Sequence, residues 1–429
     1  MLSAEPTNTI APDSFLPVHA VRFPRAARWV FHRLVAARHL GDNGTLQVVE
    51  AFVEPPRAIN LGRGEPRVGM TVHDRSAYSA LVFGGSKGLG RSFVNGQWST
   101  SDITQLVRLL FRATQRNRRR WDRIARRYGW LFSLVHRASP SRKQDRENIH
   151  AHYDLSNEFF SLMLDETMAY SCAVFADEST SLHDAQVEKF DRLCRKLRLG
   201  PDDHVLEIGT GWGGFAIHAA RTYGARVTTT TISENQRDGA VAAIRAAGLD
   251  DRVTVLTEHY AELTGSYDAL VSVEMIEAVD WRRYDEFFST CSRLLHDNGR
   301  MVIQAITIAD QSFDRAKMQE DFIRDLIFPG GCLPSVTAML DSVTRSTDLK
   351  PIDLEDIGLH YVRTLSAWRD AVHDQAGAVA ALGFDDRFVR LWDLYLGYCE
   401  AAFLERHVSD VQLVLHKPRA VTTVGYRPA

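Results

Sequence analysis

The sequence predicts an α/β fold: a doubly wound parallel sheet of the Rossmann-like kind, preceded by a smaller N-terminal α+β domain. Three observations carry that expectation. Apolar runs VLEIG (205–209), ARVTTTTIS (225–233), RVTVLT (252–257), YDALVSVEM (267–275) and GRMVIQAIT (299–307) alternate with helical segments such as 213–223 and 234–247, the rhythm of strands joined by crossover helices. The first run passes directly into a glycine-rich turn. The chain of 429 residues also exceeds the roughly 100–200 typical of one domain, so two are expected.

The boundary is expected at 138–148, ASPSRKQDREN, whose polar, Pro- and Ser-containing composition is that of a linker. Domain 1–140 opens with a basic amphipathic helix at 22–40, where Phe23, Trp29, Val30, Leu34 and Leu40 stand among arginines. Short β-like runs TLQVVEAFVE, YSALVFGG and SFVNGQW fill 44–98, and a helical stretch follows at 101–137. In domain 148–429 the last hundred residues mix helices with a final strand pair, VQLVLHK and VTTVGY.

Composition narrows the class. A hydrophobic share of 45% with 24% charge and a net charge of −3 is ordinary for a globular protein. The five cysteines are scattered, with no CxxC and no zinc-like spacing, so no metal site is expected and free thiols in a reducing cytoplasm are. No apolar run reaches the roughly 18 residues of a membrane span, and MLSAEPTNTIAPDSF lacks the basic end and apolar core of a signal peptide. The expectation is a cytoplasmic protein attached peripherally to the inner face of the membrane.

VLEIG leads into T-G-W-G-G. In a parallel sheet that loop meets a helix N-terminus, where ligands bind; Gly209, Gly211 and Gly213 let backbone approach a ligand without a Cβ in the way. Glu207 within the strand, and no Walker lysine, give the E/DxGxGxG form of methyltransferases that bind S-adenosylmethionine. The second strand ends TTTTIS without the usual carboxylate for ribose, leaving Thr231, Ser233 and Gln236 as hydrogen-bonding groups. Ser233 with Gln236 three residues on also reads as a helix cap. A second glycine-rich stretch, GGSKGLG (84–90), resembles a dehydrogenase phosphate loop. No tyrosine in the chain has a lysine four residues later, so a glycine-rich turn between two short strands is the preferred reading.

More specific are HYDLSNEFFSLMLDETMAYSC (152–172) and IFPGGCLPS (327–335). With VLEIGTGWGG, TISENQ and VSVEMIEAV they resemble the cyclopropane-fatty-acyl-phospholipid synthase family, mycolic acid cyclopropane synthases included, over about 148–418. GGSKGLGRSFVNGQW is similar to the N-terminal domain of its long members. The resemblance implies that Tyr170, Ser171, Gly209, Gly211, Thr231, Ile232, Gln236 and the His259-Tyr260 turn bind S-adenosylmethionine. It also implies a bicarbonate ion as base, held by Cys172, Glu277, the backbone near Ile306, and Tyr361. Two departures count against bicarbonate: the family's Glu-His pair reads Glu277-Ala278, and its histidine on the fifth strand is Gln304. Glu147, just ahead of HYDLS, is then a candidate protein carboxylate. The EMIEAV and IQAIT variants resemble the actinobacterial fatty acid methyltransferase branch that makes 10-methylene and 10-methyl (tuberculostearic-type) lipids.

The implied chemistry is alkylation of a cis double bond in a phospholipid acyl chain. A sulfonium methyl is electrophilic and an alkene is a weak, uncharged nucleophile, so attack leaves a carbocation that needs a dry pocket with negative dipole ends or aromatic faces. A base then removes a proton, ending in a methylene branch or, alternatively, a cyclopropane. Saturating the methylene product requires a separate reductase, because no nicotinamide or flavin site is evident. The intact glycine loop, Tyr170-Ser171 and Glu277 argue against a lipid-binding protein that has lost activity. Between Arg108 and Arg146 stand 13 Lys/Arg against two acids, with Trp121, Tyr128, Trp130 and Phe132 among them. That run suits an anionic membrane surface; a solvated face or a homo-oligomer contact is the alternative, and no nucleic-acid motif accompanies it.

Overall fold

The structure is a computed structural model that describes residues 24–34, 40, 44–113, 156–319 and 321–420. Two sheets organise it. The N-terminal one comprises β1 (Gly44–Glu50), β2 (Arg57–Arg63), β3 (Arg67–Val72) and β4 (Trp98–Ser99), in the order β2-β1-β3-β4. Leu46 and Val48 of β1 alternate with exposed or half-buried neighbours, as a strand with one covered face requires.

Of the expected β-like runs only TLQVVE is a strand. YSALVFGG forms the helix Ser76–Phe83, and GSKGLGRSFV forms the helix Gly85–Val94. Ala77, Tyr78, Ser79 and Ala80 are buried in succession, and a helix covered on all sides has the same unbroken apolar run as a buried strand. The glycine-rich stretch therefore lies between two helices, not two strands. Its glycines let those helices touch: a Cβ on Gly88 would fall 2.1 Å from the Ala80 carbonyl oxygen, and one on Gly84 2.6 Å from the Gly88 Cα.

The basic helix at 22–40 is described over Pro24–Leu34. It turns Ala27 and Phe31 inward and leaves Trp29 60% exposed. Arg28 and the Tyr78 hydroxyl both donate to the buried Glu50 carboxylate. Residues 103–113 are helical; the rest of the expected 101–137 helix, the linker and VTTVGY lie outside the described residues. Arg108 and Arg112, the first arginines of the basic run, are bound to Glu405 at 2.9 and 2.8 Å. Arg91 bonds Asp325 at 2.8 Å, and Thr104 donates to Glu400 at 2.7 Å. Together these anchor the N-terminal region to the rest of the chain.

The second sheet holds β5 (His204–Ile208), β6 (Arg226–Thr230), β7 (Val253–Leu256), β8 (Tyr267–Val273), β9 (Leu295–Ile308), β10 (Lys350–Asp356) and β11 (Val408–His416), in the order β10-β11-β9-β8-β5-β6-β7. The strands β5 to β9 are parallel; β11 runs antiparallel beside β9, with β10 antiparallel at the edge. VQLVLHK thus pairs with 350–356 and β9, where VTTVGY was expected. Alternate residues serve opposite faces: Leu206, Ile303 and Leu413 pack with Phe287 and Met339, while Val205, Val302 and Val414 pack with Leu193 and Phe215. Helices cover both faces, as a doubly wound sheet demands. The chain leaves β5 toward β6 on one side and has β8 on the other, so the crevice at their carboxyl ends is a topological switch point.

Gly88→Ala should destabilise the protein by about 1–3 kcal/mol, as overpacking does. A lowered urea midpoint with unchanged cofactor affinity is the expected result.

Candidate functional site

Where β5 ends, Gly209, Gly211 and Gly213 adopt φ of 103°, 52° and 89°, a left-handed region that side chains with a Cβ avoid. The amides of Gly209 and Thr210 bond the Thr230 carbonyl at 3.0 and 3.1 Å, fixing the turn to β6. Helix Gly214–Tyr223 starts directly after it. A Cβ on Gly211 would meet no protein atom within 4 Å, because that residue faces the cavity formed at the strand ends.

The sequence-derived cofactor residues line this cavity: Tyr170, Ser171, Glu207, Gly209, Gly211, Thr231, Ile232, Gln236, His259 and Tyr260. Thr231 donates its hydroxyl to Gln236 Oε1 at 2.9 Å. Two expected residues do not line it. Gly213 is the N-cap of helix Gly214–Tyr223. Ser233 turns its hydroxyl to the Gln236 amide at 3.3 Å, capping helix Glu234–Ala246. Glu207 accepts from the Thr229 hydroxyl at 2.6 Å; burial pushes its carboxyl up to about 8. A glycine cradle, a polar rim and an acid that a ligand's ammonium can ionise fit S-adenosylmethionine.

Beside these residues stands a polar cluster, half-buried at Glu274 and Glu277, with Glu274 lining the cavity. Glu277 Oε1 accepts from the Ile306 amide at 2.5 Å, while Oε2 has no hydrogen-bond partner among the described residues. Burial, with Glu274 adding to it, pushes Glu277 up to about 8. Tyr361, Cys172 and Gln304 do converge, but on Glu274. Its Oε1 accepts from the Cys172 amide at 2.7 Å and the Gln304 side-chain amide at 2.9 Å, and its Oε2 from the Tyr361 hydroxyl at 2.6 Å. Gln304 also donates to Asp410 at 3.0 Å and accepts from Gln412 at 3.0 Å. Burial raises the Asp410 carboxyl well above its usual range, with Glu274 adding to it. Cys172 contributes its backbone; burial raises its thiol, which points at carbonyl oxygens.

Sequence reasoning missed Glu274, Asp410 and Lys189. Lys189 is fully buried in helix Leu182–Leu197 and donates to Ser171 Oγ at 2.6 Å; burial lowers it to about 8. A glutamate inside VSVEMIEAV was the available signal for Glu274. Lys189 and Asp410 sit in runs that read as an amphipathic helix and an apolar strand, and gave none. Glu147 lies outside the described residues.

Aromatic rings close the site on the far side. Tyr170 and Trp212 belong to the cavity wall and also to a buried cluster containing Phe160, Trp368, Tyr361 and Tyr395. Ring centroids lie 5.0 Å apart for Tyr170–Trp368 and 4.9 Å for Phe160–Trp212.

Residues 140–413 match the profile of mycolic acid cyclopropane synthetase. The chain belongs to this family. It is 36% identical over 368 residues to the tuberculostearic acid methyltransferase UfaA1 of Mycobacterium tuberculosis, covering 82% of this chain and 84% of that one. It is 33% identical over 357 residues to the cyclopropane-fatty-acyl-phospholipid synthase of Escherichia coli, covering 82% and 89%. Among solved structures, mycolic acid cyclopropane synthase CmaA1 complexed with SAH and CTAB superposes with a TM-score of 0.60 at 30% identity, over 66% of this chain and 100% of that one. The family membership and the SAH-bound structure agree with S-adenosylmethionine as cofactor.

Glu277 binds its proton in the folded protein up to about pH 8; unfolded, it releases it near the usual 4.5. Its contribution to stability is therefore lost as pH rises from 4.5 to 8. In cofactor-free protein, Glu277→Gln should flatten the fall in unfolding free energy across that window, read by urea titration at pH 5 and 8. An unchanged slope would refute the assignment.

Proposed function

We propose that this chain is a fatty acid methyltransferase acting on the cis double bond of an unsaturated acyl chain of a membrane phospholipid, with a 10-methylene chain as product. The observation that carries this reading is a half-buried pair of carboxyl groups, Glu274 and Glu277, and an aromatic wall adjoining one cofactor cavity. The name of the tuberculostearic acid methyltransferase relative supports the product.

S-adenosylmethionine supplies an electrophilic methyl group when bound. Tyr170, Ser171 and the glycine turn position it at the end of β5. The aromatic cluster excludes water, so a cation on the acyl chain meets ring faces and carboxylate oxygens rather than a competing nucleophile. The alkene π pair forms the new C–C bond and leaves the charge on the neighbouring carbon. A hydride shift brings that charge to the methyl-bearing carbon, and loss of a methyl proton gives the methylene branch. Without the shift, the same proton loss closes a cyclopropane ring, the alternative product. Glu277, which holds the Ile306 amide, organises the base.

The membrane side rests on Trp29 and Arg25, exposed on helix Pro24–Leu34, and on the arginines of 116–146. Among the described residues no helix is long and apolar enough to cross a membrane, so contact would be through the surface. Each cation near an anionic leaflet contributes about 1 kcal/mol. Arg118–Arg120 changed to glutamine should therefore weaken binding to anionic vesicles by about 100-fold, and unchanged co-sedimentation would remove the idea.

In a host rich in oleoyl phospholipid fed trideuteromethyl methionine, the new fatty acid should carry two of the three deuterons, as mass spectrometry reads. Retention of all three would mean the proton leaves another carbon. Glu277→Gln should abolish the product while cofactor affinity stays within a few fold.

A further inference from the structure

The donors on which the family resemblance places a bicarbonate ion are occupied from within the chain. The Cys172 amide, the Gln304 side-chain amide and the Tyr361 hydroxyl all donate to Glu274, at 2.7, 2.9 and 2.6 Å. The Ile306 amide donates to Glu277 at 2.5 Å. An anion entering here would have to displace these bonds and would face carboxylates instead of donors. Bicarbonate does not fit.

We infer that the Glu274 carboxylate stands in place of bicarbonate and is itself the base that takes the terminating proton. This rests on the reaction proposed above and names its proton acceptor. A carboxylate and a bicarbonate ion share a planar pair of oxygens that accept hydrogen bonds, and here both oxygens are oriented by donors. Glu274 is in the turn after β8 and lines the cofactor cavity with Val273, Met275 and Ala278. Its φ is +48°, a conformation an L side chain adopts only where its surroundings over-determine it, commonly at functional sites. Its amide also bonds the Gln304 carbonyl at 2.8 Å. Gln304 therefore fixes both backbone and side chain of Glu274.

The step balances. The methyl C–H bond breaks, its electron pair becomes the second bond of the methylene branch (or, for the alternative product, the third bond of the cyclopropane), and the proton goes to a Glu274 oxygen. Glu274 ends as a neutral acid and returns the proton to solvent after release.

The test uses the full chain, oleoyl phospholipid vesicles and labelled S-adenosylmethionine in buffer stripped of carbon dioxide. Wild-type protein should keep its rate and gain nothing from added bicarbonate. In Glu274→Gln the amide oxygen still accepts from Cys172 and Gln304, and the NH2 donates to Tyr361. It cannot take a proton, so the rate should fall about 100- to 10,000-fold, the worth of a general base, with cofactor affinity within a few fold. Glu274→Gly, which suits the left-handed backbone, should be inert in stripped buffer and recover saturably with bicarbonate. It should also bind 13C-bicarbonate by NMR where wild type does not. A wild-type rate that collapses on stripping and returns with bicarbonate overturns the inference. So does a fully active Glu274→Gln beside an inactive Glu147→Gln. Wild-type protein that turns over no unsaturated lipid would instead remove the proposed reaction, and the bicarbonate NMR would still report what fills the site.

Discussion

Drawing a carboxylate out of water at the end of a parallel sheet is costly unless donors replace the water it loses, and at the half-buried Glu274 three chain segments meet to supply them. The Cys172 loop gives an amide, β9 gives Gln304, and helix Gly358–Asp374 gives Tyr361. Asp410 of β11 engages the same Gln304 amide. Fully buried Lys189 lies nearby, bonded to Ser171. The antiparallel addition of β11 beside β9 has a direct chemical consequence here: it delivers Asp410 and Gln412 to the residue that orients Glu274.

The cofactor side has a different logic. The β5 turn presents backbone, three left-handed glycines and few side-chain charges, so affinity is built from close approach and a polar rim. Tyr170 and Trp212 belong both to the cavity wall and to the buried aromatic cluster. Glu274 lines that same cavity and accepts from Tyr361 of the aromatic cluster, so the rings border the glycine turn and the carboxylate together. The N-terminal region stands behind this on arginine–carboxylate pairs and on glycines that let helices pack closely, with Gly90 against Phe322.

Much of the catalytic sheet was legible because its signals are local. Apolar strands, the glycine turn after β5 and the Ser233 cap report on neighbours within a few residues. The N-terminal runs were misread for an equally physical reason. Tyr78 and its neighbours are buried on every side, so the helix there carries no polar stripe to reveal its period. The edge strand β10, KPIDLED, hid in the opposite way: Ile352 and Leu354 remain over 40% exposed, and its charges and proline read as loop, though they suit an unpaired edge. The expected glycine turn of 84–90 went wrong because glycine marks a close approach without saying whether a ligand or another helix makes it.

The sequence by itself determined the sheet, the cofactor turn and the family, since each rests on short motifs whose geometry the backbone enforces locally. The family resemblance also implied that Cys172, Tyr361 and Glu277 gather around one ion, with Gln304 at the family's histidine position. Which carboxylate they surround was decided only by the tertiary structure. Glu274 lies three residues from Glu277, yet a left-handed backbone turns it toward donors that come from positions 172, 304 and 361. Hydrogen bonds between segments more than a hundred residues apart leave no periodicity in the chain, because the free energy that selects them exists only after the sheet has brought those segments together.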